Sequence, residues 1–75
     1  MRELLEVMAK ALVDNPAEVT VTEEKKNDMI VLNLRVAESD MGKVIGRSGR
    51  IAKALRQVLN AAASRDKLKV VVDIG

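Results

Sequence analysis

Two glycines three residues apart, with an arginine and a serine between them, form the one segment whose residue types could do chemistry: Ile45-Gly46-Arg47-Ser48-Gly49-Arg50-Ile51. Glycine carries no Cβ, so a bulky anion can come close to the main chain at both positions. Arg47 and Arg50 offer charge-assisted hydrogen bonds, Ser48 offers a hydroxyl donor, and Lys43 stands one turn before the first glycine. The chemistry this favours is the holding of a phosphate-bearing backbone rather than the making or breaking of bonds.

Glycines between helices also serve as plain punctuation, Gly46 as a left-handed helix end and Gly49 as the opening of the next helix. Three features set this segment apart. The connection is so tight that the free N–H groups and positive dipole end of the following helix open straight onto it. Its side chains are basic or hydroxyl-bearing. No carboxylate lies near them in sequence. Other phosphate loops fit worse: GxxxxGK[ST] and GxGxxG are both absent, and 75 residues leave no room for a dinucleotide fold.

The elements that must position the segment follow from periodicity. Apolar residues Leu5, Met8 and Leu12, with Leu4 beside them, predict a helix over 2–13, stopped by Asn15-Pro16. Alternation of Val19 and Val21 with Thr20 and Thr22 predicts a strand over 18–24, and the polar run 24–28 a turn. Ile30, Leu32, Leu34 and Val36 give the inward face of a second strand, 29–36, antiparallel to the first. Ser39-Asp40 is a helix-start signal for a short helix over 40–45. A longer helix runs from Gly49 to Ser64, with Ile51, Leu55, Val58 and Ala62 toward the core and Lys53, Gln57 and Asn60 opposite. A last strand, 68–74, places Leu68, Val70, Val72 and Ile74 inward, and its two-helix crossover implies parallel pairing with a neighbour. The result is an α+β fold of order α-β-β-α-α-β, a three-stranded sheet with three helices packed on one face, in a single domain over 1–75.

Composition narrows the function. The formal charge of +2 hides an asymmetry: residues 1–40 hold five bases and nine acids, whereas 41–65 hold six bases and no acid. A basic block centred on the glycines points to a polyanionic partner. With neither His nor Cys, the commonest general base and the strongest nucleophile are missing, as are the usual metal ligands, so neither an enzyme, a metal site nor a cofactor is expected. The absence of cysteine, of a signal-peptide layout and of a long apolar run reads as a soluble cytoplasmic protein with no membrane partner.

The run Val44-Ile45-Gly46-Arg47-Ser48-Gly49-Arg50-Ile51, lying between two helices within this element order, resembles the I-G-x-x-G-x-x-I signature of the KH domain through Ile45, Gly46 and Gly49, with Ile51 one residue closer to the second glycine than the signature has it. The helix and strand ahead of the strand–helix–helix–strand core resemble the prokaryotic, type II arrangement. The length is similar to that of the small single-KH proteins of bacteria. This module holds about four nucleotides of backbone at its loop. The resemblance implies single-stranded RNA as partner, with Gly46, Arg47, Ser48 and Gly49 on the sugar-phosphate backbone. Ile45 and Ile51 would anchor the loop and floor a groove bounded by the loop, its helices and a sheet edge. The lack of aromatic residues suits a family that binds bases on aliphatic surface. With the last strand at the end of the sequence, no further element is expected to extend the groove.

Lys43 and Arg50 flank the loop as further RNA-binding bases, whereas Lys53 and Arg56, one turn apart on the long helix, read either as a solvated face or as an extension of the backbone track. Leu59, Ala62 and Ala63, with Ala52, read either as a broad core contact or as a self-association surface, since alanines let helices approach closely. The resemblance also implies a homodimer and a larger, second KH-containing RNA-binding partner. Two roles follow: an RNA chaperone or post-transcriptional regulator, or a scaffold acting by dimerisation or docking.

Overall fold

Proline and a two-residue turn decide where the first half of the chain bends. A computed structural model describes all residues 1–75. Helix α1 spans Arg2–Leu12, buries Leu5 and Ala9, and carries an outward Lys10–Glu6 ion pair at 2.9 Å. After it, Pro16–Glu18 forms a 3-10 turn, so strand β1 spans Thr20–Lys26 and starts later than the alternation suggested. Strand β2 spans Met29–Arg35, and Lys26 pairs directly with Met29 across Asn27-Asp28. The expected turn residues Glu24, Lys25 and Lys26 therefore belong to β1. Asn27 takes a φ of 50°, which Asn tolerates better than most residues, and this lets so short a turn close. Glu23 and Lys25 occupy inward-facing register positions near the hairpin tip yet stay exposed. Charges there discourage another chain from pairing with this edge strand.

Helix α2 spans Met41–Ile45, helix α3 spans Arg50–Ala63, and strand β3 spans Lys69–Ile74. The sheet order is β1-β2-β3, with β1 antiparallel and β3 parallel to the central β2, as the crossover implied. Helix α1 packs on β1 and β2, α3 packs on β3, and α2 bridges α1 and α3. The core beneath them is aliphatic: Leu5, Leu32, Leu34, Val44 and Leu59 are fully buried, with Val21, Ile30, Val70 and Val72 around them.

The face of α3 differs from the expected one. Its buried residues are Ala52, Leu55, Leu59 and Ala63, whereas Val58 is 46% exposed and Ala62 is half-buried. Both stripes satisfy helical spacing and share Leu55, and packing over β3 selects the one with the larger Leu59. Leu59 and Ala63 are thus core residues and supply no self-association surface. Asn60 also does not face away: its Oδ1 accepts the Val70 N–H at 3.1 Å, and its Nδ2 donates to the Arg56 carbonyl at 2.9 Å. That side chain ties α3 to the outer edge of β3.

Candidate nucleic-acid interface

Helix α2 delivers the chain to the glycine segment, and the two glycines are required for different reasons. The Gly46 N–H closes the last turn of α2 on the Gly42 carbonyl at 2.9 Å. Gly46 then turns sharply, with φ 77° and ψ 173°, a region open to little but glycine. A Cβ built there would stand 2.7 Å from Ile51 Cγ1 and 2.9 Å from the Ile51 nitrogen. Close packing of Ile51 beneath the turn therefore excludes every larger residue. Gly49 has open space around its Cα but needs a left-handed φ of 74° to start α3. Ser48 is also left-handed, with φ 56° and ψ 27°, and the Gly49 N–H reaches back to the Gly46 carbonyl at 3.2 Å.

This turn pushes Arg47 and Ser48 into solvent while Ile45 and Ile51 stay half-buried against the core. Helix α3 begins with no side-chain cap and no acid in its first turn. The Arg50 N–H turns back to the Arg47 carbonyl, and the positive end of the helix dipole faces the loop with no acid beside it. Arg50, Lys53 and Arg56 are exposed along the same helix, and none of them, nor Arg47, has a carboxylate within ion-pair distance. The loop and the start of α3 therefore present unmatched positive charge.

Lys43 stands apart from that group. Its ammonium donates to Asp14 Oδ2 and lies 3.7 Å from Asp40 Oδ1, acids far from it or one turn behind it in sequence. Asp40 sits at the N-cap position of α2 but does not cap it. Its carboxylate, only 1% exposed, accepts the main-chain N–H of Asp14 at 3.3 Å and of Asn15 at 3.0 Å, and the Asn15 amide at 3.2 Å. Burial pushes the Asp40 carboxyl up, but these hydrogen bonds and Lys43 together hold it below its ordinary value. The hydrogen bond to Asp14 raises Lys43 above the ordinary lysine range. The helix-start signal at Asp40 thus hides a clasp between the end of α1 and the start of α2.

An apolar groove of about 410 Å³ lies between α1 and α3, walled by Met8, Leu12, Ile51, Ala54 and Val58, with Arg50 its one charged lining residue. Periodicity missed it, because Leu12 and Val58 were read as core. Their exposure, and that of Val7 at 67%, shows only once the two helices are placed.

A three-stranded sheet with a parallel last strand, crossed by two helices that meet at a GxxG turn, is a type II KH fold. The family model described as KhpA/KhpB, KH domain matches residues 2–74. The chain belongs to the KhpA/KhpB KH-domain family. The RNA-binding protein KhpA of Clostridium perfringens is 54% identical over 74 residues, 99% of each chain. That of Clostridium acetobutylicum is 55% identical over 74 residues, again 99% of each. That of Aquifex aeolicus is 43% identical, covering 99% of this chain and 94% of its own. Among solved structures, Era in complex with MgGDPNP and nucleotides 1506–1542 of 16S ribosomal RNA aligns with a TM-score of 0.58 at 22% identity. The match covers 99% of this chain and 30% of that one, and is a likeness of fold. No helix here is long and apolar enough to cross a membrane.

Proposed function

We infer that this chain binds single-stranded RNA through the Gly46–Gly49 loop. The observation that carries the reading is the uncapped start of α3 opening onto a loop whose arginines have no acid partner. Gly46, Arg47, Ser48 and Gly49 hold the sugar-phosphate backbone, Lys43, Arg50 and Lys53 add charge around it, and Ile45 and Ile51 fix the loop and offer apolar contact. Relatives sharing about half their residues with this chain are named RNA-binding proteins, which supports the same partner. The domain acts without catalysis or a cofactor, as an RNA chaperone or post-transcriptional regulator in the cytoplasm.

Fluorescence anisotropy of a labelled single-stranded RNA tests this, with wild type and Arg47→Asp/Ser48→Asp compared at several salt concentrations and folding checked by circular dichroism. Binding by wild type should weaken with salt, with a log–log slope of about −0.7 per phosphate neutralised. The double variant should stay folded, since both sites are exposed, and should lose binding. Equal binding by both proteins removes the loop from the interface.

The second reading, a homodimer or a docking domain for a larger KH-containing protein, is favoured by the apolar surface at Val7, Leu12 and Val58. Light scattering of Val58→Glu, beside wild type, tests self-association there; a monomeric wild type or an unchanged mass in the variant rules that face out.

A further inference from the structure

Of the six bases between residues 41 and 65, Lys43 alone has a carboxylate partner. The pairing is not a chance meeting of two mobile side chains. The Asp14 main chain is pinned by the buried Asp40 carboxylate, which also accepts both donors of Asn15. That fixes the main chain from which the short Asp14 side chain reaches Lys43. The pair nevertheless faces solvent, with Asp14 76% and Lys43 42% exposed, so an incoming anion can reach it. Lys43 lies in the last turn of α2, three residues before Gly46. A phosphate held at the loop and the Asp14 carboxylate therefore compete for one ammonium.

We propose that Asp14 is an affinity-limiting residue, holding Lys43 in the free protein and competing with an RNA phosphate for it. The inference rests on the RNA-binding reading above. It makes binding weaker, and less steep in salt, than the six bases would give if all were free. Asp40 plays two parts: it fixes Asp14 in place, and from 3.7 Å it keeps a counter-charge beside Lys43 after Asp14 lets go. Lys43 is then a conditional contact, whereas Arg47 and Arg50 stand ready.

The test is an anisotropy titration of labelled oligouridine over a salt series. It uses wild type, Asp14→Asn, Lys43→Met, the Asp14→Asn/Lys43→Met double variant, and Glu6→Gln. Asp14→Asn keeps the main-chain N–H that Asp40 accepts. Glu6→Gln is the matched control: it too removes one acid and frees one lysine, Lys10, outside the basic block. Asp14→Asn should bind about 1.5-fold to fivefold tighter at low salt, the range an exposed ion pair is worth. Its salt slope should steepen by about 0.7, one further phosphate neutralised. The double variant should match Lys43→Met, and Glu6→Gln should match wild type. The proposal is overturned if Asp14→Asn binds no tighter, if its gain survives without Lys43, or if Glu6→Gln gains as much. Salt-sensitive binding by wild type with a silent Asp14→Asn overturns it alone, whereas no binding by any of the five overturns the RNA reading and this proposal together.

Discussion

The two helices that meet at the glycine loop treat their polar groups in opposite ways. At the entrance to α2, the buried Asp40 accepts three hydrogen bonds and Lys43 is paired with two acids. Neither helix has a side-chain cap, but at the entrance to α3 the bases Arg47, Arg50 and Lys53 are unpaired. One side is satisfied from within, and the other is left waiting for something from outside. A binding loop gains from both: the satisfied side fixes where the loop starts, and the unsatisfied side supplies attraction.

The sharpest way to break the contrast is to substitute the two glycines in turn. Gly46→Ala places a Cβ 2.7 Å from Ile51 Cγ1 and 2.9 Å from its nitrogen, in a backbone region that suits glycine alone. Strain and overpacking of about 1–3 kcal/mol each make the expected loss about 2–6 kcal/mol, enough to unfold much of the population. Gly49→Ala meets no atom within 4 Å and bears only the left-handed backbone cost, about 1–2 kcal/mol. Urea unfolding measures both. Equal losses would mean that the α2 side of the loop is no more tightly built than the α3 side.

Next in size is the acid limb of stability. The folded Asp40 carboxyl titrates below its ordinary value of 3.8. Its contribution is therefore fully present above that value and is lost as pH falls through the lower, folded one. Lys43 is shifted up, so its contribution is fully present below the ordinary lysine range and is lost only as pH rises through its raised value. The melting temperature should hold steady near neutrality and fall in acid. Asp40→Asn should lower the neutral plateau and flatten that acid fall. An unchanged acid limb in Asp40→Asn would show that the clasp does not distinguish α2 from α3.

How much of this was legible in the sequence depends on whether the deciding interaction is local. The order of elements, the GxxG turn and the parallel last strand follow from periodicity, from glycine and from the length of the crossover, all local signals. The start of β1 was missed because Pro16–Glu18 turns once more before the alternation takes effect. The stripes through Val58 and Leu59 both fit helical spacing, and only packing on β3 tells them apart. Counting charges along the chain made Lys43 one more free base, because Asp14 lies 29 positions away in sequence and beside it in space. Asn60 was read as outward for the same reason: its partner, Val70, is on another element.

The smallest expected effect probes the unsatisfied side itself. Ser48 is a non-glycine residue held left-handed, at φ 56° and ψ 27°, and nothing in its side chain bonds back to the loop. Holding such a residue left-handed costs about 1–2 kcal/mol. Ser48→Gly removes that cost but adds about 0.5–1 kcal/mol of unfolded-chain entropy. The variant should therefore be more stable by up to about 1.5 kcal/mol, read as a higher urea midpoint at unchanged slope. The same change deletes an exposed hydroxyl donor facing the uncapped α3, so RNA affinity should fall as stability rises. That opposition would mark Ser48 as a position where the loop gives up stability to hold its ligand. If both quantities rise together, the serine is only strained, and the attraction on the α3 side rests on the arginines and the helix end alone.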